Sequence, residues 1–196
     1  MLKRTFDFLF SLVMLLLLSP LLIAVAIIIK LTDNGSVFYM APRVGLRGKL
    51  FRMYKFRSMI VNADKLGPSS TTKTDSRLTG IGKFLRKYKL DELPQMINVL
   101  AGEMSVVGPR PEVKHFTDMF NEEEKAILSV KPGISDFASV WNSDEASILE
   151  GSDDPDKTYM EKIRPQKIQL QLKYVRERNF ITDLKIIFAT AKSIFK

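Results

Sequence analysis

"KRTFDFLFSLVMLLLLSPLLIAVAIIIK", Lys3 to Lys30, is the stretch that decides the architecture. At ~1.5 Å per residue, Phe6 to Ile29 is long enough to reach across a bilayer core of ~30 Å. Three readings compete. A cleaved signal peptide would use Lys3-Arg4 as its basic start and Ala24-Val25-Ala26 as its cleavage site. Against it, the apolar run continues through Ile27-Ile28-Ile29 with no polar region, and Asp7 interrupts its start. A straight transmembrane anchor meets Ser19-Pro20 mid-run, where proline lacks a backbone donor and crowds the preceding turn. The arm from Phe6 to Leu18 then reaches only about 20 Å, and the second arm is shorter. Basic residues also flank both ends, with Lys3 and Arg4 before and Lys30, Arg43, Arg47, Lys49 and Arg52 after. Both flanks ask for the cytoplasmic side. A helix that enters, breaks at Ser19-Pro20 and returns to the same face satisfies both demands; a kinked spanning helix is the remaining reading.

Outward from this segment, composition narrows the chemistry. The 196 residues are 45% hydrophobic, carry a formal net charge of +8 and include no cysteine. Disulfides, thiolate nucleophiles and zinc-thiolate sites are thereby excluded, and the single His115 argues against histidine metal clusters and Ser-His catalysis. Carboxylates, hydroxyls, Lys and Arg remain. The positive balance points to anionic partners.

The C-terminal stretch "NFITDLKIIFATAKSIFK" spaces Phe180, Ile181, Leu184, Ile187, Phe188, Ala191, Ile194 and Phe195 as one helical stripe, with Lys185, Lys192 and Lys196 off it. Such a helix packs on a core or lies at a membrane surface. Upstream, "PQKIQLQLKYVRER" is an amphipathic helix that reads as core packing.

Between the ends, "GSVFYMAPRVGLRGKLFRMYKFRSM" alternates around a Gly-Leu-Arg-Gly turn and reads as a β-hairpin. Lys55 and Arg57, two apart, share a strand face, which a solvated edge strand would also explain. Gly67 to Arg77 reads as a flexible loop with a possible lid role. "IGKFLRKYK" puts Ile81, Phe84 and Leu85 on one helical side. In "VVGPRPE", Pro109 and Pro111 hold Arg110 on a stiff mount suited to phosphate or carboxylate, or simply form a turn. "EGSDDPDK" lacks regular cation-ligand spacing and reads as a solvated loop.

"KLDELPQ" adjoins two carboxylates, Asp91 and Glu92, amid Lys83, Arg86, Lys87 and Lys89. One reading is a helix start capped by Asp91 and ended by Gly102, with Leu93, Met96, Ile97 and Leu100 as its apolar residues. Neighbours on a helix point about 100° apart, so the two acids can also do separate jobs, one attacking and one holding a cation. Surrounding cations would neutralise a pyrophosphate, Mg²⁺ suits oxygen ligands, and carboxylates do serve as phosphoryl acceptors. Residue chemistry alone thus leads to a membrane-bound enzyme acting on an anionic, phosphorylated substrate.

The strings "KRTFDFLFSLVMLLLLSP", "RVGLRGKLFRMYKFRSM", "IGKFLRKYKLDELPQMINVLAGEMSVVGPRPE", "VKPGIS" and "DLKII" closely resemble the bacterial sugar transferases, the small monotopic phosphoglycosyl transferases. The resemblance implies transfer of a sugar phosphate from a UDP-sugar to polyprenol (undecaprenyl) phosphate, with UMP released and Mg²⁺ required. It implies Asp91 as nucleophile, Glu92 as the Mg²⁺-binding partner, and Lys55, Arg86 and Arg110 around the phosphates. Asp183 matches a supporting acid, and Ser19-Pro20 the helix break. Two departures stand out: many members carry Asp where Gln171 stands, and often Arg in the loop occupied by "VWNSDEAS", which bears on sugar choice. The likeness is to the catalytic unit without the extra N-terminal membrane helices of larger relatives, and to short forms that begin protein glycosylation with acetamido sugars.

The expected fold is therefore α+β and mostly helical. Residues 1–35 form a re-entrant membrane helix, and 36–196 a cytosolic catalytic domain with a small hairpin and C-terminal amphipathic interfacial helices. The expected place is the cytoplasmic face of a bacterial inner membrane, with no nucleic acid as partner. A non-catalytic domain binding anionic lipid or nucleic acid predicts no UMP release, and a metal-dependent phosphatase predicts free phosphate. The aromatic-basic platform that single strands need is missing, which argues against the nucleic-acid rival.

Overall fold

The computed structural model describes residues 2–67, 71–72, 74–142 and 144–194. Helix α1 runs from Leu2 to Asp33 as one element with Pro20 inside it. The break expected at Ser19-Pro20 is thus not a break in secondary structure. Pro20 cannot donate to the carbonyl four residues back, that of Leu16. Ser19 Oγ donates to that same carbonyl at 2.8 Å, so the acceptor orphaned by proline finds a partner from the adjacent hydroxyl.

Both ends of α1 are tied to the rest of the chain. At its start, Lys3 Nζ reaches Asp183 at 2.6 Å and the Val107 carbonyl at 3.0 Å. Arg4 donates to the Val99 and Leu100 carbonyls at 2.5 and 2.8 Å. Asp7, which interrupts the apolar run, is buried because it accepts from Ser105 Oγ at 2.8 Å and Val106 N at 3.0 Å. At the other end, Val25 and Ile29 join a core with Phe56 and Leu85, and Asp33 pairs with Arg57. Between these anchors, Leu9, Val13, Leu16, Leu17, Ile23 and Ile27 are exposed. By length and composition α1 can cross a membrane.

Strands β1 (Phe38–Val44) and β2 (Leu50–Phe56) form the expected antiparallel hairpin, pairing Tyr39 with Lys55 and Ala41 with Met53. Arg47 and Gly48 turn the chain at φ 55° and 76°. Helix α2 (Gly80–Lys87) starts at Thr79, whose hydroxyl accepts from Gly82 N at 3.0 Å. Ile81 and Leu85 face the core. Phe84, expected on the same side, lies at the edge of that stripe and turns out onto Tyr88, ring centroids 4.9 Å apart.

Helix α3 (Gln95–Ala101) ends at Gly102 in the left-handed region, φ 84°, as expected. Strand β3 (Ser105–Val107) pairs in parallel with β4 (Gly133–Ser135). Short helices α4 (Lys114–Thr117), α5 (Phe137–Trp141), α6 (Glu145–Ile148) and α7 (Pro155–Thr158) lead to α8 (Arg164–Glu177) and α9 (Phe180–Ile194). The central core joins Phe51 and Met53 of β2, Val99 of α3, Val106 and Val107 of β3, Tyr174 of α8 and Ile186 of α9. Helix α8 therefore packs inward, as its pattern predicted. On α9 the inward line is Asp183 and Ile186, while Ile181 and Phe188 stand exposed beside Lys185. The expected stripe is thus split between core and surface.

Two glycines permit close backbone approaches. A Cβ on Gly133 would collide with the backbone of Gly108, and one on Gly82 with the Ser58 carbonyl. Gly133→Ala is expected to cost about 2–3 kcal/mol, lowering the thermal midpoint in detergent by roughly 5–10 °C. Differential scanning fluorimetry would read it, and an unchanged midpoint would contradict the packing of β3 on β4. The possible lid at 67–77 falls partly on residues 68–70 and 73, outside the described residues. The Glu150–Lys157 stretch, expected to be a loop, is one only as far as Asp154, which caps α7 by accepting from Lys157 N at 3.0 Å; Pro155, Asp156 and Lys157 are helical.

Candidate active site

The "KLDELPQ" stretch does not begin α3 directly. Lys89 sits at φ 56° and throws Leu90–Glu92 into a separate 3₁₀ turn, after which Pro94 leads α3. Asp91 is accordingly not the α3 cap; its side chain makes no capping bond. The turn is docked by its neighbours. Asn98 of α3 accepts from Tyr54 N at 2.9 Å and donates to the Arg52 carbonyl at 2.8 Å, stitching α3 to the outer edge of β2. That stitch puts Lys55 against the dyad.

Glu92 is saturated. Lys55 Nζ donates to its Oε1 at 2.7 Å, Arg110 Nη1 to its Oε2 at 2.9 Å, and Arg110 Nη2 also reaches Oε1. Burial opposes ionisation of Glu92, but Arg110 and then Lys55 outweigh it and hold the carboxyl well below the usual carboxylate range. Burial likewise pulls the Lys55 ammonium down, with Glu92 opposing. Asp91 is the opposite case. Asp91 is 6% exposed, and its carboxylate accepts no hydrogen bond from any described residue. Burial and then the neighbouring Glu92 charge push its pKa up, while Lys55, Arg86 and Lys89 restrain the rise. The chain thus holds an available carboxylate beside a neutralised one, in a field of cations.

Arg86 projects from α2 into this field, its Nε donating to Ser58 Oγ at 2.9 Å. Arg110 comes from the loop after β3. That loop is sewn to β4: Gly133 N donates to the Pro109 carbonyl at 2.9 Å and Gly108 N to the Ser135 carbonyl at 3.0 Å. The stiff mount expected from Pro109 and Pro111 is therefore reinforced by a strand pairing.

The bacterial sugar transferase family matches residues 1–196, the whole chain. The chain belongs to that family. Among its relatives is the UDP-N-acetylgalactosamine-undecaprenyl-phosphate N-acetylgalactosaminephosphotransferase of Aeromonas hydrophila, 46% identical over 121 residues, 62% of this chain and 29% of that protein. The undecaprenyl-phosphate glucose phosphotransferase of Komagataeibacter xylinus is 38% identical over 194 residues, 97% of this chain and 35% of that protein. The exopolysaccharide production protein ExoY of Sinorhizobium fredii is 31% identical over 207 residues, 98% of this chain and 84% of that protein. The chain therefore spans well under half the length of the first two.

Of the residues expected at the site, Lys55, Asp91, Glu92 and Arg110 meet in one cluster, and Arg86 lies within its electrostatic reach. Asp183 is bound elsewhere. It accepts from Lys3 at 2.6 Å and from Tyr174 Oη at 2.8 Å, tying α1 to α8 and α9. Its observed contacts belong to a clamp on α1. Arg57, paired by alternation with Lys55, turns instead to Asp33 because β2 ends at Phe56. Sequence reading passed over Arg43, which burial disfavours and which stands in the field of Glu112, Arg110 and Glu92. It also passed over Glu112, bridged to Lys167 at 2.6 Å and to Tyr159 Oη at 2.9 Å behind the Arg110 loop. Glu112 directly follows Pro111, and its place in "GPRPE" was the available signal.

Proposed function

We propose that the chain transfers a sugar 1-phosphate from a UDP-sugar to polyprenol phosphate, releasing UMP, through a phosphosugar held covalently on Asp91. The observation that carries this reading is the contrast inside the dyad: Glu92 fully bonded to Lys55 and Arg110, Asp91 buried yet unclaimed. A nucleophile must be ionised and unencumbered, and Lys55, Arg86 and Lys89 restrain the rise that burial and Glu92 impose on the Asp91 pKa.

In the first step an Asp91 oxygen attacks the phosphorus that bears the sugar. The bond from that phosphorus to the bridging oxygen breaks, and UMP leaves with the electron pair. In the second step an oxygen of polyprenol phosphate attacks the same phosphorus, the bond to Asp91 breaks, and the carboxylate is regenerated. Lys55, Arg86 and Arg110 hold the phosphates and neutralise charge as it develops on the equatorial oxygens. For donor phosphates to engage, Arg110 and Lys55 exchange part of their grip on Glu92 for phosphate oxygens.

Among the described residues no three metal-ligating side chains gather. The site fits the other mode of Mg²⁺ binding, one or two carboxylates plus substrate phosphates, with Glu92 as the protein's share. When bound, the ion would offset charge on the leaving phosphate. The proposed donor carries an N-acetylated or modified amino sugar, in keeping with the N-acetylgalactosamine named for the Aeromonas relative. Screening UDP-sugars for UMP release with polyprenol phosphate and Mg²⁺ tests this; release of inorganic phosphate instead would favour a phosphatase.

We also propose that α1 re-enters, leaving the catalytic body on the cytoplasmic face of the bacterial inner membrane. Both ends of α1 bond to the same body, while its middle presents bare Leu, Val and Ile. No native cysteine competes with labelling. Leu2→Cys and Ser36→Cys, both at exposed positions, should be modified by an impermeant maleimide from one and the same side of sealed vesicles. Labelling from opposite sides would establish a spanning helix.

A further inference from the structure

We propose that Asp136 and Gln171 are positioning residues that clamp the Arg110 peptide from both sides and so aim its guanidinium at the dyad; this rests on the transferase reading above. Arg110 lies between two prolines, so its own N–H is the single backbone donor in residues 109–111. That N–H goes to Asp136 Oδ2 at 3.2 Å. The Arg110 carbonyl accepts from Gln171 Nε2 at 3.2 Å, and the same Nε2 lies 3.4 Å from Asp136 Oδ2. The second Asp136 oxygen is fixed by Ser139 N at 2.7 Å, at the start of α5. Both side chains are buried, Asp136 at 1% and Gln171 at 0% exposure.

Packing alone does not account for this pair. Gln171 Oε1 is buried with no hydrogen-bond partner among the described residues, a desolvation cost that Leu or Met at this place would avoid. What the amide supplies is its donor, directed at one carbonyl and one carboxylate. Arg110 needs such support because its fork must meet Glu92 in one arrangement and phosphate oxygens in another, around a fixed peptide.

Turnover and amide exchange together test the clamp. Gln171→Met keeps volume and removes the donor. It is expected to lower kcat about 100-fold, to change the donor KM less than about threefold, and to speed exchange of the Arg110 amide at least tenfold in the substrate-free protein. Gln171→Glu can donate only when protonated. Charges near position 171 are Asp136, Arg110 and, one turn back on α8, Lys167 with Glu112; Asp136 at close range and burial favour the protonated acid. Relative to the unaltered protein at each pH, Gln171→Glu should therefore regain activity as pH falls. Full kcat and unchanged Arg110 exchange in Gln171→Met would overturn the clamp. So would a loss in which kcat, KM and thermal midpoint fall together and Gln171→Glu shows no recovery in acid. If the unaltered protein releases no UMP from any donor, the transferase reading fails, and the exchange measurement alone decides the clamp.

Discussion

Asp91→Asn is expected to abolish sugar-phosphate transfer, with at least a ~10³-fold loss of turnover, while the protein stays folded. The amide keeps the size of the carboxyl and gives up the nucleophilic oxygen. No hydrogen bond holds the Asp91 side chain among the described residues, so nothing structural is lost. Removing a buried charge that burial and Glu92 both disfavour should leave the thermal midpoint unchanged or raise it. Steady-state UMP release and scanning fluorimetry on one preparation test both halves. Turnover within about tenfold of the parent would exclude a covalent role.

Glu92→Gln is the second large effect, and it acts through three observables. Lys55 and Arg110 lose a partner that each holds within hydrogen-bond distance, at a cost of about 2 kcal/mol, below the ~3–5 kcal/mol of a fully buried pair because the cluster keeps some solvent contact. Turnover should fall about 10²-fold, and the Mg²⁺ concentration for half-maximal rate should rise. The third observable is a pH profile. Asp91 must be ionised to attack, so kcat/KM falls as pH drops through its folded pKa, which burial and then Glu92 raise from its ordinary value. Loss of the Glu92 charge lowers that pKa, so the acid limb should move to lower pH in the variant. A limb that stays in place would mean that another group controls it.

The dyad and its cations were legible in the sequence because their spacing repeats a family pattern, and the hairpin because alternation and turn residues agree. The alternative reading of Asp91 as a helix cap fails because nothing local announces that Lys89 adopts φ 56°. Alternation failed at Arg57 for a similarly local reason, since the strand stops one residue earlier. Ser19-Pro20 lies within the continuous α1, and the Ser19 hydroxyl to the Leu16 carbonyl shows how helical backbone survives there. What stayed hidden depends on distant packing. Gln171 meets the Arg110 carbonyl across 61 residues of sequence and Asp183 meets Lys3 across 180; periodicity carries no such information. Asp183 matches a supporting acid by resemblance; its ties to Lys3 and Tyr174 show only in the folded chain.

The central claim is tested most directly by incubating the protein with its UDP-sugar and Mg²⁺, omitting the lipid acceptor, then quenching and mapping peptides by mass spectrometry. A sugar-phosphate adduct on the peptide containing Asp91, matched by one equivalent of UMP and discharged by added polyprenol phosphate, is the predicted result. Brisk turnover with both substrates present, but neither adduct nor UMP when the acceptor is withheld, would contradict it.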